Sequence, residues 1–176
     1  SEGLFVYDSG FGVDVAVGDR VRVNGFASEY YDLTQLESPV DVLICDSENT
    51  VTPAQVTLPF SSTTYLERYE GMHVRVAQPL SVTENYNLGR GGLLELSSDG
   101  RLMQPTQVVT PGTPANEMAE QNNLNRLILD DGSLDQNPDP IIYPSPYLSA
   151  TNSIRSGDVV SDVVGVLTYS WSGWSD

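Results

Sequence analysis

The chain has 176 residues, 39% of them apolar and 18% charged, with 24 acidic against 8 basic residues and a formal net charge of −16. That length allows one full domain or two small ones, the apolar share is that of a chain with a real core, and the acidity argues against a broad basic face for polyanions or anionic membranes. Every basic residue is arginine, and no run approaches the roughly 18 apolar residues of a spanning helix.

The chain opens Ser1-Glu2-Gly3, without Met or a basic-then-apolar leader, so either a processed product or, the favoured reading, a piece of a longer protein is expected. Residues 4–7 are the first strand candidate. Gly18-Asp19 then forms a turn that launches a second strand, where Val17, Val21 and Val23 alternate with Arg20, Arg22 and Asn24 at period two. Residues 40–45 follow as a strand candidate, with 33–36 the alternative for the last strand of this stretch. The single cysteine, Cys45, ends an apolar run. It reads either as a small buried hydrophobe or as half of a disulfide to a cysteine elsewhere in a secreted protein. Residues 52–64, rich in Pro, Ser and Thr, read as a linker, with a domain boundary near residue 60.

Gly71 opens a weaker copy of the Gly18 motif, Met72-His73-Val74-Arg75-Val76, and Gly157-Asp158 opens another before Val159-Val160 and Val163-Val164-Gly165-Val166-Leu167. Tyr30 and Tyr169 each follow the motif glycine by twelve positions. The spacing of the copies is too unequal for a solenoid or propeller. Residues 93–96, 101–103 and 127–129 are further strand candidates. One short helix of about two turns is signalled by Thr113 as N-cap, Pro114 in the first turn, Glu117 and Glu120, ending at Asn122-Asn123. Residues 130–146 form a long loop with four prolines.

This grammar predicts an all-β protein built from OB-like Greek-key barrels. In this reading residues 1–60 hold the second half of an incomplete N-terminal barrel plus a linker. Residues 61–176 hold a second barrel, with its helix between the third and fourth strands.

Gly3-Leu4-Phe5-Val6-Tyr7, Val17-Gly18-Asp19-Arg20-Val21-Arg22-Val23-Asn24-Gly25, Ser28-Glu29-Tyr30 and Leu33-Thr34-Gln35-Leu36 together resemble the OB-like module of large secreted bacterial nucleases. That module stands before a catalytic domain of the endonuclease/exonuclease/phosphatase superfamily. The resemblance continues through Leu66-Glu67-Arg68-Tyr69-Glu70-Gly71-Met72, Thr83-Glu84-Asn85-Tyr86-Asn87-Leu88-Gly89-Arg90, Gln104-Pro105-Thr106 and Leu129-Asp130-Asp131-Gly132. It implies an extracellular bacterial protein whose metal-dependent nuclease chemistry lies in a catalytic domain beyond this chain. That domain would be this chain's partner. The superfamily's catalytic site needs paired histidines and acidic metal ligands, and this chain has one histidine. The chain itself is therefore expected to be non-catalytic and to require no cofactor.

Candidate sites are few. His73 lies between Met72 and Val74 and reads as a structural or surface residue, since nothing local supplies the nucleophile or metal a general base would serve. Asn85, Tyr86 and Arg90 fall in a glycine-rich loop between the first two strands of the second barrel, where OB modules bind strands of nucleic acid or sugar. There Tyr86 would stack on a base and Arg90 would meet a phosphate of single-stranded DNA or RNA. Alternatively, Tyr86 anchors the loop in the core and Arg90 pairs with a carboxylate. Arg20 and Arg22 form a second small basic spot. Asp130, Asp131 and Asp135 concentrate oxygen ligands around Gly132 and would hold Ca²⁺ if a cation binds, although the spacing departs from the EF-hand loop. Otherwise they make a solvated acidic turn. Trp171 and Trp174, with Tyr169, read as packing surface for a neighbouring domain or as a sugar platform. The functional expectation is a nuclease accessory scaffold guiding single strands, with a carbohydrate- or matrix-binding module or a structural spacer as alternatives.

Overall fold

The computed structural model describes residues 3–169; Trp171 and Trp174 lie outside them. Among the described residues the chain is mainly β, with ten strands in three sheets. It divides into two compact units, one of residues 3–55, 66–75 and 164–169, the other of 56–65 and 76–163.

In the first unit β1 (Phe5–Tyr7), β2 (Arg20–Tyr30) and β3 (Leu33–Asp46) form a sheet in the order β1-β3-β2. The alternatives 33–36 and 40–45 are both parts of one continuous strand, because β2 pairs antiparallel along its whole length while β1 pairs parallel with its first half. An irregularity between Asn24 and Phe26 is absorbed on β3 at Ser38, whose φ is +49°. Cross-strand partners share a face. Val6, Leu36 and Ala27 therefore form one row, while Phe5, Gln35 and Ser28, then Tyr7, Glu37 and Phe26, form rows on the opposite face. Cys45 is exposed, so the buried-hydrophobe reading is corrected: it sits one residue from the end of β3, where the strand runs out to the surface. A second small sheet contains β4 (Ala54–Gln55), β5 (His73–Val76) and β10 (Val163–Val166). His73 is half-buried there, its Nδ1 lying 3.4 Å from the Val51 carbonyl oxygen.

The motif copies are one turn used repeatedly. At the first, Asp19 N–H donates to Ala16 O at 3.0 Å and Ala16 N–H donates to Asp19 Oδ2 at 2.8 Å. At the last, Asp158 N–H donates to Arg155 O at 3.0 Å and Arg155 N–H to Asp158 Oδ2 at 2.7 Å. The third residue is glycine in both, with φ +97° at Gly18 and +94° at Gly157, which a side chain would strain. The middle copy keeps the glycine and the main-chain bond, Met72 N–H to Tyr69 O at 2.9 Å, but Met72 replaces the carboxylate. Gly71 also meets Gly3 there: a Cβ on Gly3 would lie 2.0 Å from the Gly71 carbonyl carbon.

The second unit holds β6 (Leu80–Glu84), β7 (Leu94–Ser97), β8 (Leu127–Leu129) and β9 (Val159–Val160), in the order β8-β7-β6-β9 with every neighbour antiparallel. Leu80 and Val82 on β6 and Leu94 and Leu96 on β7 are buried, with Val56, Leu58, Phe60, Val76, Leu88 and Leu93 around them. Three of these come from the stretch read as a linker. Val56, Leu58 and Phe60 alternate into the core, and the Gln78 side chain brackets Leu58 by accepting from its N–H at 3.0 Å and donating to its carbonyl at 2.9 Å.

Residues 101–103 are not a strand. Leu102 N–H donates to the Thr83 hydroxyl at 3.0 Å, a side-chain partner in place of a ladder. The short helix expected is α3 (Thr113–Leu124), 12 residues long and capped at Gly112 rather than Thr113. Pro114 sits in its first turn, where a missing N–H costs nothing. Since 101–103 adds no strand, the helix follows the second strand of this sheet, not the third. Two one-turn helices, α1 (Leu88–Gly91) and α2 (Pro105–Val108), complete the unit.

Candidate functional site

The loop after β6 is built by a carboxylate. Glu84 Oε1 accepts both the Asn85 and the Tyr86 N–H at 2.9 Å, turning the chain out of the strand. Asn85 is then tied down, its Nδ2 donating to Ile154 O at 3.1 Å, while Tyr86 projects into solvent with 85% of its surface exposed. That excludes the reading of Tyr86 as a core anchor. Leu88 is buried and pins α1 to the core; Gly92 closes the helix in the left-handed region, φ +70°.

The acidic loop folds onto this turn. A Cβ on Gly92 would lie 2.1 Å from Asp131 Oδ2, and Asn137 N–H donates to the Arg90 carbonyl at 2.8 Å. With the Gln136 amide oxygen turned toward it, the Arg90 guanidinium donates through Nε and Nη2 at 2.9 Å each. Two segments that read as separate candidates are thus one surface, carrying Tyr86, Arg90 and the 130–137 loop. Gln136 and Glu84 are its unforeseen members.

The Asp130 and Asp131 carboxylates serve the loop itself, and Asp135 enters it through its backbone N–H. Asp130 Oδ1 accepts from Gly132 N–H at 2.7 Å, Asp131 Oδ1 from Ser133 N–H at 2.8 Å, and Asp135 N–H donates to Ser133 Oγ at 3.1 Å. Among the described residues no three His, Cys, Asp or Glu side chains gather to hold a metal ion, Asp130, Asp131 and Asp135 included. Tyr143 donates its hydroxyl to the Asp130 carbonyl at 3.1 Å. Burial first, then the negative charges of Asp131 and Asp130, raise its pKa, so it remains a neutral donor.

Arg20 and Arg22 belong to the first unit. Arg20 forms an ion pair with Asp46, and Arg22 is exposed on β2. Tyr169 is exposed. No helix among the described residues is long and apolar enough to cross a membrane.

Residues 34–175 match a family model described as a domain of unknown function, DUF8508, and the chain belongs to that family. No curated protein and no solved structure matches it.

Proposed function

We propose that this chain is the non-catalytic, OB-like accessory region of a secreted bacterial nuclease, holding a metal-dependent catalytic domain and guiding single-stranded nucleic acid toward it. The observation that carries the guiding role is the Tyr86 ring, exposed four residues before the exposed Arg90 on the connection between the first two strands of the second unit's sheet. An exposed ring stacks on any base, and a neighbouring guanidinium adds a phosphate or π contact.

The strand order supports the barrel reading. Counting β6 to β9 as one to four, the spatial order is 4-1-2-3, the order of a Greek key, and a fifth strand joining β8 to β9 would close an OB-type barrel. In the first unit, β1 parallel to β3 and β2 antiparallel to it suit the third, fifth and fourth strands of such a barrel. The helix after the second strand departs from the usual plan and reads as an insertion.

A second reading, a structural spacer, is favoured by the aliphatic face of the first sheet, where Val21 and Ile44 are partnered across strands and both exposed. Fluorescence anisotropy of labelled single-stranded DNA and RNA at low salt separates the two. Binding that is lost in both Tyr86→Ala and Arg90→Ala supports guiding. Absence of binding in every condition, with and without calcium, leaves the spacer.

A further inference from the structure

The β1-β3-β2 sheet has two unlike faces. One is aliphatic: Val6, Leu36 and Ala27 share a row, Val21 faces Ile44 and Val23 faces Val42. The other is aromatic and polar. Its rows are Phe5, Gln35 and Ser28, then Tyr7, Glu37 and Phe26, with Tyr30 opposite Leu33 at the hairpin end. All four rings are exposed, Phe26 by 66%. Between them runs a fixed polar strip: Gln35, itself 4% exposed, donates from Nε2 to Ser28 Oγ at 3.4 Å and to Glu37 Oε2 at 3.5 Å.

The hairpin tip extends the aromatic surface at a cost. Tyr31 and Asp32 both hold positive φ, +49° and +62°, in a two-residue turn that Asn-Gly would adopt with least strain. The Tyr31 ring stands edge-on to Tyr30, centroids 4.7 Å apart and planes at 83°.

Solvent-facing rings on a sheet suit flat ligands, bases and sugar rings alike. Charge decides between them. Glu37 stands within the aromatic rows, Asp8 and Asp32 adjoin Tyr7 and Tyr31 in the chain, and Glu29, opposite Thr34, takes the other face. Arg20 pairs with Asp46 at the far end of β2, and Arg22 shares the aromatic face but lies opposite Leu43, beyond the Asn24–Asp41 pair and the register shift that precede Phe26. A phosphate chain would meet carboxylates, whereas sugar hydroxyls donate to carboxylates and to amide oxygens. An aliphatic protein surface is matched by the opposite face. We propose that the aromatic face of this sheet binds a neutral glycan chain, its rings stacking on Phe5, Tyr7, Phe26 and Tyr30 while its hydroxyls bond to Ser28 and Glu37, which the buried Gln35 links. This site is separate from the Tyr86 loop and does not depend on the nuclease reading.

The test is native affinity electrophoresis of the purified chain through gels containing a cellulose ether, a mixed-linkage β-glucan, a galactomannan or a glycol chitin. Labelled poly(dT) serves as the polyanion comparison. At least one neutral polymer is expected to retard the chain, with binding about tenfold weaker in Phe26→Ala and in Tyr30→Ala, the loss of one stacked ring. Circular dichroism should be unchanged in both, and Tyr86→Ala should bind like the parent. The proposal is overturned if no polymer in the panel retards the chain or if both ring variants bind as well as the parent. Poly(dT) binding that Phe26→Ala abolishes overturns it too, since the face would then belong to nucleic acid.

Discussion

The Asp131 carboxylate occupies the space a side chain on Gly92 would fill: Oδ2 lies 2.1 Å from the position of a Cβ there. The contact holds the acidic loop against α1, and it makes Gly92 doubly constrained, by φ +70° and by its neighbour. Gly92→Ala should destabilise the protein by about 1–3 kcal/mol, read as a fall in thermal midpoint. In an Asp131→Ala background, which loses the Ser133 hydrogen bond in both proteins compared, the clash is gone and Gly92→Ala should cost only the left-handed backbone term, about 1–2 kcal/mol. Strict additivity of the two changes would contradict the contact.

Removing the Tyr86 ring should leave stability within about 0.5 kcal/mol of the parent, because an exposed side chain has little packing to lose. If the guiding proposal holds, the same change eliminates oligonucleotide binding. With a net charge of −16, that binding should be weak and assisted by divalent ions that bridge carboxylate and phosphate. Chelator should therefore abolish it, and undiminished binding in chelator would mean that the arginines suffice.

Gln78 offers a stability test of the core. It satisfies both backbone groups of Leu58, as a neighbouring strand would, so Gln78→Ala leaves them without their partner. The expected cost is about 1–3 kcal/mol, measured by urea denaturation. A loss under half a kilocalorie would show that water replaces the amide freely.

Asp19 should titrate abnormally. The Ser47 hydroxyl, then the Ala16 amide, stabilise its carboxylate and hold its pKa below the ordinary 3.8. A folded-state pKa below the unfolded one means that this stabilisation is present above about pH 4 and is lost as pH falls through the lower, folded value. Carboxyl carbon NMR should place Asp19 below 3.8, and Ser47→Ala should move it upward. No upward movement would remove the hydroxyl as the main cause.

What could be read from the sequence was local. Gly18-Asp19 and Gly157-Asp158 announce their turns because glycine and a carboxylate three residues along the turn suffice to make them. β2 was visible because Val21 and Val23 alternate with arginines. Phe5 and Tyr7 gave no such signal, since they alternate with Leu4 and Val6 and every position is apolar. Val56, Leu58 and Phe60 did alternate, but Pro, Ser and Thr around them masked a core segment whose partner, Gln78, is supplied by a later part of the chain. The same limit applies to the site: Tyr86 and Arg90 were legible as residue types on a glycine-rich loop. Gln136 and Asp131 join them only because the 130–137 loop folds back, which no local pattern encodes. Residues 101–103 looked like a strand because nothing nearby reveals that the Thr83 hydroxyl takes the Leu102 amide.

The crossing of Gly3 and Gly71 works as a gauge on the backbone. A Cβ on Gly71 would lie 2.7 Å from the Leu4 nitrogen, and one on Gly3 would lie 2.2 Å from the Met72 nitrogen. Main chain blocks both, so a side chain at either position cannot be accommodated by a rotamer change and must push the two segments apart. Exchange at either glycine would pull β1 away from the turn that leads into β5, and a compensating change at the other cannot restore the fit because that partner is already as small as a residue can be. In a library varying both positions, selection for the folded state should return the single combination Gly-Gly, a pair with no covarying alternatives.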